Sequence, residues 1–378
     1  MAMDRLFQLM KEKKASDLFM SVNSPIQVKI NGGLVAVNQQ KMDNATIKAL
    51  LAEVVSAAQL HELESRNELN MGIPVPGLGS FRLSAFRQRG SISAVFRYIP
   101  GDIPRLADLN VPPILADVIM EKRGLILVVG ATGSGKSTTI AAMLDHRNIN
   151  RTGHILTLED PIEFLFTSKK SIVNQREIGT DAESLQIALK NALRQAPDCI
   201  LIGEIRDKDT MANAIAYAQS GHLVVATLHA NNSYQALTRI INFYPLETRP
   251  SLLPDLAATI RAVISQRLVV AKDGGRRAAV EVMLNTRHIA ELIEQGEIGQ
   301  IKEAIEKSMA PGSQTFEQAL LRLIEDDVVT QDEALANADS ATNLYWLINN
   351  SKGAKAPEPE PEPKKDDGPT FTEFTLNV

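Results

Sequence analysis

Cysteine is almost missing from this chain: Cys199 is the single one in 378 residues. A disulfide framework and a cysteine-rich zinc site are both excluded, and a reducing cytoplasm is the simplest home. Long apolar runs are missing too. The longest are strand-sized, and no basic-then-apolar segment opens the chain, so no segment is expected to span a membrane. Any membrane association then goes through a partner. Charge of one sign is not in excess either. The formal net charge is −5, and residues 352–378 hold four lysines and six acidic residues. The rest carries 36 Lys and Arg against 39 Asp and Glu, without the basic footprint expected of a nucleic-acid binder.

What is present is an ordinary globular composition, 44% hydrophobic and 22% charged, at a length that suits two domains. Gly130-Ala131-Thr132-Gly133-Ser134-Gly135-Lys136-Ser137 fits the phosphate-binding pattern G-x-x-x-x-G-K-[ST]. The apolar run Leu125–Val129 before it reads as a buried strand, and Thr138–Asp145 after it as a helix. Glycines let the backbone wrap a phosphate, and successive N–H groups point inward as an anion nest. Lys136 can reach the β- and γ-phosphates, and the Ser137 hydroxyl can ligate Mg²⁺. Residues Gly130 to Thr138 are thus expected to bind a nucleoside triphosphate.

Residues 1–99 read as a smaller α+β domain. Leu6, Leu9 and Met10 give Asp4–Lys14 helical spacing, and Thr46–Leu63 is a second helix. Ile26–Ile30 and Leu34–Val37 flank the turn Asn31-Gly32-Gly33, and Ser80–Phe86 and Ser91–Tyr98 form a further strand pair. Pro100, Pro104, Pro112 and Pro113 mark 100–113 as a linker. Residues 114–350 form the second domain. Strands at 125–129, 154–158, 199–203 and 223–228 alternate with helical patterns such as Ala182–Gln195 and Lys208–Ser220, which implies an α/β fold with a mostly parallel sheet. Beyond Pro245 the pattern turns helical, with a hairpin around Asp273-Gly274-Gly275. Residues 351–378 contain the Pro–Glu run 357–363 and end near Phe371, Phe374 and Leu376; this composition predicts a disordered tail.

Ligands of open α/β sheets sit at the carboxyl ends of the strands, so the polar residues there carry the chemistry. Glu159-Asp160-Pro161-Ile162-Glu163 follows the second strand, Glu204-Ile205-Arg206-Asp207 the third, and His229 the fourth. Gly203 precedes Glu204 where an Asp-Glu pair is usual, so this strand supplies one acid. Glu204 is assigned to Mg²⁺, directly or through its waters. The attacking water then draws its base from the acid cluster, with Glu163 first and Glu159 and Asp160 as alternatives. His229 can sense the γ-phosphate or pass a proton, while His222, at the other end of its strand, reads as structural. Arg82 and Arg97 in the first domain, with Arg194, Arg206 and Arg239 in the second, are candidates to stabilise phosphate charge across an interface.

These residues together resemble a known family. Gly130–Thr139, Ile155–Phe164 and Gly203–Asp207 are similar to the Walker A, Asp box and Walker B of secretion ATPases, and Ser220–His229 to their His box. Asn174-Gln175-Arg176-Glu177, Ala262-Val263-Ile264-Ser265-Gln266 and Ala15-Ser16-Asp17-Leu18 narrow the resemblance to the PilT/PilU group of type IV pilus retraction motors, over residues 1 to about 340. The resemblance implies a RecA-like P-loop core beside a PAS-like N-terminal domain, with ATP bound between them. It also implies a homohexameric ring, arginines reaching a neighbouring subunit's phosphates, and an inner-membrane platform protein as partner. Such a ring drives pilus retraction and twitching motility from the cytoplasm. Where retraction ATPases carry Ala-Ile-Arg-Asn-Leu-Ile-Arg-Glu, this chain has His288–Gln295, with Ala290 and Glu294 in place of both arginines. That difference and the tail resemble the PilU type, an accessory to a PilT-type motor. A regulatory docking subunit is the alternative, as is a pilus assembly or type II secretion ATPase.

Overall fold

The computed structural model describes residues 1–30 and 32–353. Asn31 of the expected hairpin turn, the Pro–Glu run and the apolar residues near the C-terminus lie outside the described residues.

Six strands build the first sheet: β1 (Asp17–Met20), β2 (Gln27–Ile30), β3 (Gly33–Ala36), β4 (Glu68–Val75), β5 (Gly79–Gln88) and β6 (Ser91–Pro100). They run in the order β3-β2-β1-β6-β5-β4, each antiparallel to its neighbours. The helix Ala2–Glu12 buries Met3, Phe7 and Met10 on the face that helical spacing aligns. Phe7 stacks on Phe81 with ring centroids 3.9 Å apart and meets Phe96 edge-on at 5.5 Å. The expected single helix over Thr46–Leu63 is two helices, Asn44–Ala52 and Ala57–Arg66. Ser56 accepts a bond from the Gln59 N–H while the Gln59 side chain returns to the Ser56 N–H, so a capping box restarts the helix inside the apolar pattern.

The second sheet holds β7 (Gly124–Val129), β8 (Gly153–Glu159), β9 (Ser171–Glu177), β10 (Cys199–Ile202), β11 (Leu223–Leu228), β12 (Ile260–Val270) and β13 (Arg276–Leu284). Their order is β13-β12-β7-β11-β10-β8-β9, parallel throughout except for β13. Every residue of β7 is buried. Leu125, Leu127 and Val129 feed the apolar cluster on one face; Ile126 and Val128 feed the other. Burial on both faces is why the run shows no polar alternation.

The helical reading beyond Pro245 is corrected in part. Ile260–Val270 and Arg276–Leu284 pair across the turn at Asp273-Gly274-Gly275, and β12 adds in parallel to β7. The hairpin is therefore long enough to complete the central sheet. Helices Phe316–Glu325, Gln331–Asn337 and Ala341–Gly353 close over its far end around Val269, Ala279 and Phe316. The helix expected over Ala182–Gln195 begins at Leu185, where Ser184 caps it, and tightens to a 3₁₀ turn over Leu193–Gln195. Cys199 is fully buried, and burial pushes its thiol up to about 11, so it is an inert core residue. Among the described residues no helix is long and apolar enough to cross a membrane.

Candidate active site

β7 delivers the chain at its carboxyl end into the loop 130–135, and helix Lys136–Asn150 leaves it. Gly130 and Gly135 take φ of 152° and 86°. A Cβ on Gly130 would stand 2.5 Å from the Gln266 carbonyl oxygen, and one on Gly135 would stand 2.7 Å from Gln266 Nε2. Both positions exclude a side chain by conformation and by space. The Gln266 carbonyl crowds Gly130, and the Gln266 side-chain amide crowds Gly135. That amide donates to the Ser134 carbonyl at 2.9 Å and accepts from Thr139 Oγ1 at 2.8 Å, bracing the loop against its helix. Gln266 is buried, so Gln266→Leu leaves both partners unsatisfied and is expected to cost about 1–3 kcal/mol in denaturant unfolding, with a raised KM for ATP. An unchanged unfolding midpoint would contradict the bracing role.

Thr132, Gly133, Lys136 and Ser137 line a cleft of about 630 Å³. Glu159, Asp160 and Glu163 enter it from the end of β8, Glu204 and Arg206 from the end of β10, and His229 from the end of β11. The parallel order of the sheet brings these loops together, since neighbouring parallel strands end on the same side. Arg82 of β5 enters the cleft from the first sheet. Lys136 Nζ donates to the Gly130 and Ala131 carbonyls at 2.8 Å each. Burial lowers its pKa from the ordinary lysine value, while the Glu204 and Glu163 carboxylates oppose that shift.

Glu204 is held on both oxygens: His229 Nε2 lies 3.2 Å from Oε1, and Arg206 Nε donates to Oε2 at 2.6 Å. Arg206 also approaches Asp160 at 3.9 Å, although Asp160 is 62% exposed. The Thr227 hydroxyl donates to the Gly203 carbonyl, fixing the turn from which Glu204 projects. Glu159 is differently placed. Its Oε1 accepts from Thr157 Oγ1 at 2.6 Å and from Gln175 Nε2 at 3.1 Å, and burial raises its pKa. Those contacts occupy one of its oxygens, whereas Glu163 lines the cleft close enough to act on Lys136. His222 lies at the amino end of β11, where Ser220 Oγ is 3.0 Å from its Nδ1.

The arginines separate. Arg82 and Arg206 line the cleft; Arg97, Arg194 and Arg239 do not. Arg97 is paired with Asp17 at 2.9 Å on the face of the first sheet. Arg194 is exposed in the 3₁₀ turn that leads into β10, at the amino-terminal edge of the second sheet. Arg239 donates to the His229 carbonyl at 2.8 Å and borders a shallower pocket of about 350 Å³ behind Gly130 and Ala131. Thr138 lies in the first turn of its helix, outside the cleft lining.

Residue type gives no chemical signal for Gln266, Gln175 or Thr227. All three sit in segments that carry the family resemblance, and that is their only signal. Glu281 is a further buried carboxylate, accepting from the Ser233 N–H at 2.7 Å and from Ser265 Oγ at 2.9 Å. Burial raises its pKa, so the folded chain keeps a proton that the unfolded chain loses in the ordinary carboxylate range. Its contribution therefore falls as pH rises through that window. Glu281→Gln keeps an acceptor and cannot ionise. The variant is expected to gain stability relative to the parent at pH 8 and to lose that advantage towards pH 4, read by denaturant unfolding. A difference independent of pH would refute this account.

Among the described residues no cluster of three or more His, Cys, Asp or Glu could hold a metal by itself. The donor set suits a hard cation that keeps waters and takes substrate phosphates as ligands: one hydroxyl, Ser137, and one carboxylate, Glu204, in the same cleft.

The family model described as "Type II/IV secretion system protein" matches residues 2–335. The chain is 44% identical over 349 residues to the type IV pilus ATPase PilU of Pseudomonas aeruginosa, covering 92% of this chain and 91% of that one. It is 36% identical over 343 residues to the type IV pilus retraction ATPase PilT of the same organism, covering 91% and 100%. The crystal structure of the pilus retraction motor PilT with bound ADP superposes with a TM-score of 0.84 at 36% identity, covering 90% of this chain and 99% of that one. Loop, acid cluster, histidine and likeness agree: the chain belongs to the type II/IV secretion ATPase family, in its PilT/PilU branch of type IV pilus ATPases.

Proposed function

We propose that this chain hydrolyses ATP as a subunit of a ring that supports type IV pilus retraction, in the manner of a PilU-like accessory to a PilT-type motor. The observation that carries this reading is the convergence of Thr132, Gly133, Lys136 and Ser137 of the loop with Glu163, Glu204 and His229 on one cleft. A triphosphate entering there offers its oxygens to the loop N–H groups and to Lys136, which exchanges the Gly130 and Ala131 carbonyls for the β- and γ-phosphates. Ser137 and Glu204 would hold Mg²⁺, which when bound neutralises charge between the β- and γ-oxygens. Glu163 then takes the proton of the attacking water. His229, 3.2 Å from Glu204, registers loss of the γ-phosphate. Arg82 and Arg206 act within the subunit, and Arg97, Arg194 and Arg239 face a neighbour's nucleotide in a homohexamer. The lobes close and open as phosphate is cleaved, and that movement is the motor stroke.

A second reading, a docking subunit that regulates a PilT-type ring with catalysis secondary, draws on the helix Arg287–Gln295. There Ile289, Leu292 and Ile293 are buried, and Ala290 and Glu294 stand where the motor pattern has arginines. The ring is proposed to work in the cytoplasm and to meet the inner membrane only through a platform protein. Co-purification with a PilT-type motor, with phosphate release measured on full-length and 1–351 protein, tests both readings. Mg-ATP hydrolysis that depends on Lys136 supports the first. Full support of a partner motor in motility by the Lys136→Ala variant supports the second.

A further inference from the structure

β4 is an edge strand of the first sheet, and Gly72 lies directly across from Arg82, the arginine that enters the cleft. Glycine inside a strand gives up β-propensity and side-chain packing, and is found where another group comes close. The group here belongs to the other sheet. A Cβ on Gly72 would lie 3.1 Å from Glu177 Oε2 and 3.8 Å from Oε1, at the end of β9. Glu177 is only 8% exposed. Its Oε2 accepts from the Ile162 N–H at 3.1 Å, and its Oε1 accepts from Thr180 Oγ1 at 3.1 Å. Its own backbone is pinned, the N–H donating to Asp181 Oδ2 at 2.8 Å. Ile162 immediately precedes Glu163.

We propose that Glu177 is a positioning residue: seating of Gly72 against it holds the Ile162 N–H, and so aims Glu163 into the cleft only when Arg82 is also in place. The inference rests on the reading of Glu163 as the base. The same Glu177 oxygen accepts from the Ile162 N–H and stands 3.1 Å from where a Cβ on Gly72 would lie, so a shift of the first sheet moves Glu163 without touching the nucleotide loop. The nucleotide is then cleaved when the lobes are seated and spared when they are apart.

Steady-state ATP hydrolysis by the purified full chain tests this with Gly72→Ala, Glu177→Ala, Glu177→Gln, Glu163→Gln and the Gly72→Ala/Glu177→Ala pair. A displacement of a few tenths of an ångström or more at a reacting group costs rate. Gly72→Ala is expected to lower kcat about tenfold and Glu177→Ala about thirtyfold, with KM for ATP within about twofold of the parent. Glu177→Gln recovers most of the loss, because its amide oxygen still accepts from Ile162. The pair is no slower than Glu177→Ala alone, since the added methyl has nothing left to push. Melting temperatures within a few degrees of the parent exclude misfolding as the cause. If Glu163→Gln is inactive while Gly72→Ala and Glu177→Ala keep the parent kcat, or the two losses multiply, the inference is overturned. If Glu163→Gln keeps full turnover, the base assignment fails and this inference with it.

Discussion

Lys136→Ala should slow ATP hydrolysis by about a thousandfold and leave the fold as stable as the parent. The loss follows from removing the one ammonium at the foot of the loop, within the range for deleting a charged donor to a transferring phosphoryl group. The stability expectation has a separate cause. Burial lowers the Lys136 pKa, so carrying that charge in the folded state is unfavourable at neutral pH; Glu204 and Glu163 offset this in part. The unfolded chain binds the proton more readily, so this cost is present where lysine is ordinarily charged and fades as pH rises through the lysine range. Removing the side chain relieves the cost and frees the Gly130 and Ala131 carbonyls to water. Phosphate release and a melting curve on the same preparation check both halves. More than about a tenth of the parent rate would remove Lys136 from the chemistry, since loss of one such donor costs far more than that.

Glu163→Gln carries the other large effect. General-base catalysis is worth about a hundredfold to ten-thousandfold, so kcat should fall by about that range with nucleotide affinity unchanged. The neighbouring acids give the contrast. Asp160 is 62% exposed and 3.9 Å from Arg206, and Asp160→Asn should stay within about threefold of the parent, as surface ion pairs contribute little. Glu159→Gln keeps an acceptor for Thr157 and Gln175 and should lose less than Glu163→Gln. Full activity in Glu163→Gln with loss in Glu159→Gln would move the base to Glu159. Fluorescent-nucleotide binding on each variant separates affinity from turnover.

The features readable beforehand were those with one dominant local cause. The loop 130–137 shows itself because its glycines and lysine answer to one ligand geometry. The runs 125–129 and 223–228 show themselves because both faces are buried. β9 gives no strand pattern, since Ser171–Glu177 sits at a sheet edge and is polar at every residue after Ile172 and Val173. β12 was hidden differently. Gln266 and Ser265 are polar yet enclosed: Ser265 bonds Glu281 directly across on β13, and Gln266 bonds Ser134 and Thr139 from a segment far back in the chain. No local pattern marks a residue whose role is set by a contact more than a hundred positions away. The break at Ser56 was available as a capping box but was masked by apolar spacing that runs through it. Charge alone marks the five arginines, and the chain by itself brings two of them, Arg82 and Arg206, to its cleft.

The most direct measurement is a structure of the full chain grown with Mg²⁺ and a non-hydrolysable ATP analogue. The triphosphate is expected in the cleft, with Lys136 turned from the Gly130 and Ala131 carbonyls to the β- and γ-phosphates and Glu163 facing the γ-phosphate across one water. A nucleotide bound elsewhere, or Lys136 still closed on its own loop with Glu163, Glu204 and His229 all turned away, would contradict it.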